Sequence, residues 1–214
     1  MAEKSRRDGI HVFEDEEFLS AVSRGSLVIF VAGTVLGIAW FALLRPALPG
    51  LAPVDFAGLF DAVTSPGKDG VDVLGVLLPF AIWFAVTVAS FALHEVVHAI
   101  PMKLFAPAGS RVTFGMNRET WMLYACADGI VYPRRAYQLI IALPTVVVTL
   151  ALLLGGEVAG YPFAGYILAI VHLSGCTADL AYLAHIARDR AISACEDTTW
   201  GVRFIHEDPG SNDR

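Results

Sequence analysis

Four long runs of apolar residues dominate the chain: Ser26 to Leu44, Val73 to about His98, Ala136 to Leu154 and Tyr161 to about His185. A hydrocarbon core about 30 Å thick needs about 20 such residues in a helix, so each run predicts a membrane span. The first follows a segment carrying Glu14, Asp15, Glu16 and Glu17 and is too long for the apolar part of a signal peptide, so it reads as a retained span. Pro79 and Pro144 fall inside predicted helices and are not counted as breaks, because neighbouring helices can take up the freed carbonyls. Between the second and third runs the pattern changes. Arg111 to Met116 and Trp121 to Tyr132 are rich in β-branched and aromatic residues, and Asp128-Gly129 is a favoured two-residue hairpin turn. The expected fold class is an all-α membrane protein: four transmembrane helices with a small β-hairpin or sheet in the cytosolic loop. Residues 1–25 and 188–214 are expected to be cytosolic tails around a bundle of residues 26–187.

Composition agrees with the pattern. Of 214 residues 56% are hydrophobic and only 17% charged, and the mean hydropathy is +0.59, which argues against a water-soluble globule. The net charge of -6 supplies no basic stripe, so a nucleic-acid partner is not expected. Cys126, Cys176 and Cys195 are odd in number and scattered, which reads as buried or cytosolic thiols rather than a disulfide framework. The basic residues set a direction. Lys4, Arg6, Arg7 and Arg24 precede the first span; Lys103, Arg111, Arg118, Arg134 and Arg135 lie around the second loop; Arg188, Arg190, Arg203 and Arg214 follow the fourth span. Arg45 and Lys68 alone fall on the other side. The positive-inside rule therefore predicts a multi-pass protein of the cell membrane, with both termini and the second loop cytosolic.

The second run ends in His94-Glu95-Val96-Val97-His98. Helical residues four apart share a face, so both imidazoles can bind one zinc ion, while Glu95 lies beside the remaining coordination position as a general base. A catalytic zinc commonly takes three protein ligands, and Asp179 is the expected third. It is the other carboxylate inside a span, at a depth comparable with His94, and Ser174, Gly175, Cys176 and Ala178 would let its helix come close. His172 and His185 compete for the role; His172 also suits a partner held behind a ligand, or a satisfied buried histidine. A metal-free hydrogen-bond network of His94, Glu95, His98 and Asp179 is the alternative for the whole cluster.

These residues also carry a resemblance. His94 to Ala99 closing the second span, the Phe114 to Tyr124 segment, Arg134-Arg135-Ala136-Tyr137 leading to Pro144, and Ser174 to Asp179 in the fourth span resemble the putative zincin peptidases, small membrane metalloproteases related in layout to site-2 proteases. Asp197 to Phe204 is similar to that family's closing strand. The resemblance implies hydrolysis of a membrane protein or peptide substrate, within the bilayer or at its surface. The lipid bilayer and a substrate are thus the expected partners, and the oligomeric state stays open, a homo-oligomer included. A metal-dependent hydrolase of lipids or small molecules, or a non-catalytic metal-binding membrane protein, would use the same ligands.

Overall fold

Helices form where the apolar runs lie because a continuous apolar stretch without charge leaves the backbone to satisfy its own hydrogen bonds. The computed structural model describes residues 9–11, 15–44, 73–117 and 122–206. Lys4, Arg6, Arg7, Glu14, Arg45, Lys68, Arg118, Trp121 and Arg214 lie outside them. The described helices are α1 (Glu16–Leu44), α2 (Val73–Phe105), α3 (Arg134–Val158), α4 (Pro162–Gly175) and α5 (Thr177–Arg188). α1 begins ten residues before its apolar run. Asp15 caps it by accepting the Phe18 N–H at 3.0 Å, and Glu16 and Glu17 suit the positive end of the helix dipole. α2 and α3 run through Pro79 and Pro144.

Three of these helices are long and apolar enough to cross a membrane, and α4 with α5 makes a fourth if that bent pair counts as one span. Many large apolar side chains face outward, among them Leu27, Val31 and Leu36 of α1, Ile82 and Leu93 of α2, and Val146 and Leu150 of α3. The fourth span expected from Tyr161 to about His185 is in the structure a pair of helices bent by 52° at the break between Gly175 and Thr177. The Cys176 N–H is shared between the His172 and Leu173 carbonyls, so the ladder slips there and a new helix starts. The break places Asp179 in the first turn of α5.

Close helix approach depends on glycine. A Cβ on Gly33 would come within 2.7 Å of Ile170, and one on Gly37 within 2.6 Å of Tyr166. This Gly-x-x-x-Gly stripe lets α1 lie against α4, where Tyr166 donates its hydroxyl to the Gly33 carbonyl at 2.8 Å. Lower down, Ser26 Oγ donates to the Ser174 carbonyl, 2.5 Å away, and lies 2.7 Å from Thr177 Oγ1, fastening α1 across the α4–α5 break.

The larger departure from an all-α fold lies at one end of the helices. Two antiparallel sheets form there from β1 (Gly9–His11), β2 (Thr113–Asn117), β3 (Met122–Cys126), β4 (Ile130–Pro133), β5 (Ile192–Thr198) and β6 (Gly201–His206). One has the order β1-β6-β5-β4, and β2 pairs with β3 in the other. Parts of both expected tails are therefore strands. The Asp128-Gly129 turn does form, with Gly129 at φ +74°, but it does not close a hairpin. It passes the chain from one sheet to the other, because β4 pairs with β5, Ile130 opposite Asp197. Burial decides the matter: in that register Tyr132 sits fully buried among Tyr137, Ile140, Ile186 and Ile192. Arg134 locks the sheet to the helices by donating to the carbonyls of Asp189 (2.7 Å), Ile192 (3.0 Å) and Ile186.

Candidate metal centre

The two histidines of the second run stand one turn apart on α2, both buried, with ring centroids 4.7 Å apart and edge to face. Each ring is oriented by its Nδ1. His98 Nδ1 donates to the Ile140 carbonyl of α3 at 3.0 Å, and His94 Nδ1 lies 3.0 Å from His172 Nε2 of α4. His172 Nδ1 is in turn 3.1 Å from Thr149 Oγ1. Both Nε2 atoms then converge on one carboxylate: His94 Nε2 is 3.1 Å from Asp179 Oδ2, and His98 Nε2 is 3.5 Å from Asp179 Oδ1. The break after α4 makes this possible, since it carries Asp179 across to α2 at the N-terminus of a fresh helix. Phe91 fills the place a Cβ on Gly175 would need, so that glycine sets the α2 to α4 approach.

A zinc ion with ligand bonds of about 2.0–2.1 Å at tetrahedral angles separates its ligand atoms by about 3.3 Å; each imidazole lies close to that distance from one of the two carboxylate oxygens, and one ligand atom from each of the three residues lies within 4.8 Å of the others. Hydrogen bonding alone fits less well. The Ile140 carbonyl can only accept, so His98 Nδ1 already carries a proton. Bonding Asp179 through Nε2 as well would require either a doubly protonated ring or a protonated carboxyl, at a long 3.5 Å. The donor set of two oriented imidazoles and a carboxylate therefore fits a zinc ion.

Glu95 lies one step round α2 and is half-buried. Its Oε2 accepts the Ala125 N–H of β3 at 2.6 Å. The Ala125 amide thus points away from β2, and by the alternation of antiparallel ladders so do the backbone groups of Leu123. A cavity of about 720 Å³ opens beside them, lined by His94, Glu95, His98 and Asp179, by Phe84, Val88 and Phe91 of α2, and by the β3 edge. Tyr182, one turn beyond Asp179, also lines it, and its buried hydroxyl has no hydrogen bond among the described residues.

The other candidate ligands separate cleanly. His185 is remote from the cluster and stacks on Phe204 of β6 with centroids 4.6 Å apart. His172 stands behind His94, and with Cys176 it forms a second group of metal-capable atoms that shares His94. Sequence reasoning missed Cys176 and Thr149 in this arrangement. The four-residue spacing of His172 and Cys176, one helical turn, is the signal that could have joined the first of them to the cluster.

Asp197 of β5 forms a polar cluster at the far wall of the cavity, outside the apolar helices. It accepts the Ala127 N–H at 2.9 Å and the Tyr137 hydroxyl at 3.3 Å. Burial pushes its carboxyl above the ordinary value near 3.8, with those hydrogen bonds offsetting part of the shift. A raised carboxyl favours the folded state fully below about pH 3.8, and that contribution is lost as pH rises through the folded value. Asp197→Asn can keep the Ala127 bond through its carbonyl oxygen without the charge. The variant should therefore gain stability relative to wild type as pH rises from about 4 to 7, read as the difference in thermal midpoint. A pH-independent difference would show that the Asp197 carboxyl does not titrate above its ordinary range.

In comparison with known proteins, a profile of the family described as "putative zincin peptidase" aligns with residues 87–193, half of the chain, from α2 ahead of His94 to the start of β5. No curated protein and no solved structure matches.

Proposed function

The chain belongs to the putative zincin peptidase family, and from that premise we propose that it is a zinc-dependent integral membrane endopeptidase cutting membrane-associated protein substrates near the cytosolic face. His94, His98 and Asp179 would hold the zinc, and Glu95 would be the general base. The convergence of two oriented Nε2 atoms on Asp179, with Glu95 beside them on the cavity wall, carries this reading.

Zinc held there would supply Lewis-acid chemistry, polarising a water and the scissile carbonyl. Glu95 takes the water's proton and delivers it to the leaving amine, a role typically worth about 10²- to 10⁴-fold. A substrate helix must be unwound to reach these groups. The outer edge of β3 offers the means: an extended segment can pair with Leu123 and donate to the Ala125 carbonyl, while the Ala125 N–H stays on Glu95, and so gain main-chain hydrogen bonds largely independent of its sequence. Apolar side chains of α2 on the opposite wall suit the apolar residues of such a segment.

Co-expression with candidate single-span proteins tests the activity. Fragments should end within a few residues of the cytosolic border of the substrate span and vanish on metal chelation. The mostly apolar cavity also favours a second reading, a metal-dependent hydrolase of lipids. Lipid turnover with no peptide cleavage would select it.

The sheet-bearing end gathers Lys103, Arg111, Arg134, Arg135, Arg188, Arg190 and Arg203, which supports placing that end in the cytosol. The three native cysteines are buried, so an added thiol can be read against a low background. Ala108→Cys should label only from the cytosolic side and Ala159→Cys only from outside. The reverse pattern would put the catalytic groups near the opposite face.

A further inference from the structure

Two carboxylates hold the outer edge of β3. Glu95 takes the Ala125 N–H at 2.6 Å, and Asp197 takes the Ala127 N–H at 2.9 Å, two residues further on. Extended chain rises about 3.4 Å per residue, so these amides stand about 7 Å apart, with Asp197 on the side of the four-stranded sheet. A substrate segment laid along this edge with its scissile bond at Glu95 reaches Asp197 about two residues later.

Asp197 is buried, yet its charge has no counterpart. The Ala127 amide, the Tyr137 hydroxyl and the Cys126 thiol that bond it are neutral, and it forms no salt bridge among the described residues. A carboxylate has about four acceptor positions, so one is left over. The described residues lining the cavity include Glu95, Asp179 and Asp197 but no Lys or Arg. Zinc at the metal centre would balance the first two and leave the third. The fold does not call for that charge, since Asn at this position can keep the Ala127 bond. The Tyr182 hydroxyl, buried on the same cavity and within the field of Asp197, is likewise without a hydrogen bond among the described residues.

We propose that Asp197 and the Tyr182 hydroxyl form a subsite for a basic side chain of the substrate, about two residues to the cytosolic side of the scissile bond. The proposal rests on the peptidase reading above. A substrate span cut near the cytosolic face carries Lys or Arg just beyond its apolar run, by the same positive-inside bias that this chain's own basic residues follow. An ammonium or guanidinium there supplies the missing charge and donates to the acceptor position that Asp197 has left. The β3 edge reads only backbone, so this subsite would be what marks the border of a span as the place to cut.

A series of synthetic peptides tests the proposal on the zinc-loaded full chain in detergent micelles. Each carries an apolar run of about 20 alternating Leu and Ala residues and a Ser-rich tail, in which a single Lys is moved one position at a time away from the run. Met and Glu replace the Lys in parallel peptides. At one position wild type should cut the Lys peptide with a kcat/KM about 10- to 100-fold above that of the Met peptide, the size of a hydrogen bond to a charged group, and the Glu peptide should be the poorest. Asp197→Asn should bring Lys down to the level of Met. The wild-type comparison stands even if that variant folds poorly. Binding of fluorescently labelled copies of the same peptides to zinc-loaded Glu95→Gln protein separates the two readings. A Lys preference in binding with no cleavage by wild type would remove the peptidase and leave the subsite. Cleavage or binding indifferent to Lys at every position, no binding at all, or a preference undiminished in a folded Asp197→Asn protein would overturn the subsite.

Discussion

Glu95→Gln should remain folded and keep its zinc while hydrolysis falls by about 10²- to 10⁴-fold. The volumes of the two side chains are nearly equal, and the Gln carbonyl oxygen can still accept the Ala125 N–H that Glu95 Oε2 accepts at 2.6 Å. Position is therefore preserved and only proton acceptance is lost, since an amide takes no proton at neutral pH. The structural alternative makes the opposite demand. If Glu95 served only an interhelical network, the substitution would change stability by about 1 kcal/mol without a selective effect on turnover. Cleavage, zinc content and thermal midpoint measured on the same preparations separate the two. Equal cleavage by both proteins would end the general-base assignment.

Asp179→Asn should weaken zinc binding by more than the about 10- to 100-fold typical of groups that only orient a ligand. The carboxylate faces both Nε2 atoms, at 3.1 and 3.5 Å, and supplies the negative charge of the donor set. Folding should survive, because losing an acidic residue from the first turn of α5 costs only about 0.3–1 kcal/mol in its interaction with the helix dipole. His172→Ala gives the internal scale. It removes the partner of His94 Nδ1 but no proposed ligand of the metal centre, and so should fall inside the 10- to 100-fold range. Competition against a chelator of known affinity measures both. Equal losses in the two variants would mean that Asp179 merely orients His94.

The grouping of His94, His98 and Asp179 was legible in the sequence because its main signals are local. The four-residue spacing of His94 and His98 fixes a shared helix face whatever surrounds it, and a carboxylate within an apolar run, such as Asp179, is costly enough to demand a partner. The partner of His94 Nδ1 was not fixed by spacing, since choosing between ligand and orienting roles for His172 needs the α4 geometry. The bend at Cys176 was hidden too: Gly175 is tolerated in straight membrane helices, and only the packing of Phe91 against it, with Ser26 bonded across the break, shows why the chain turns there. Most obscure was the four-stranded sheet. β1 is three residues long, too short for an alternating pattern, and pairs with β6, Ile10 opposite Val202. β4 reads as the second arm of a hairpin until Asp197 and the rest of β5 are brought beside it.

Metal analysis with X-ray absorption on the purified, unsubstituted chain tests the central claim most directly. The expected result is one zinc per chain in a shell of two imidazoles and a carboxylate, with His98→Ala losing the ion. A folded, hydrolytically active protein free of metal, or one whose ion has no imidazole in its shell, would contradict it.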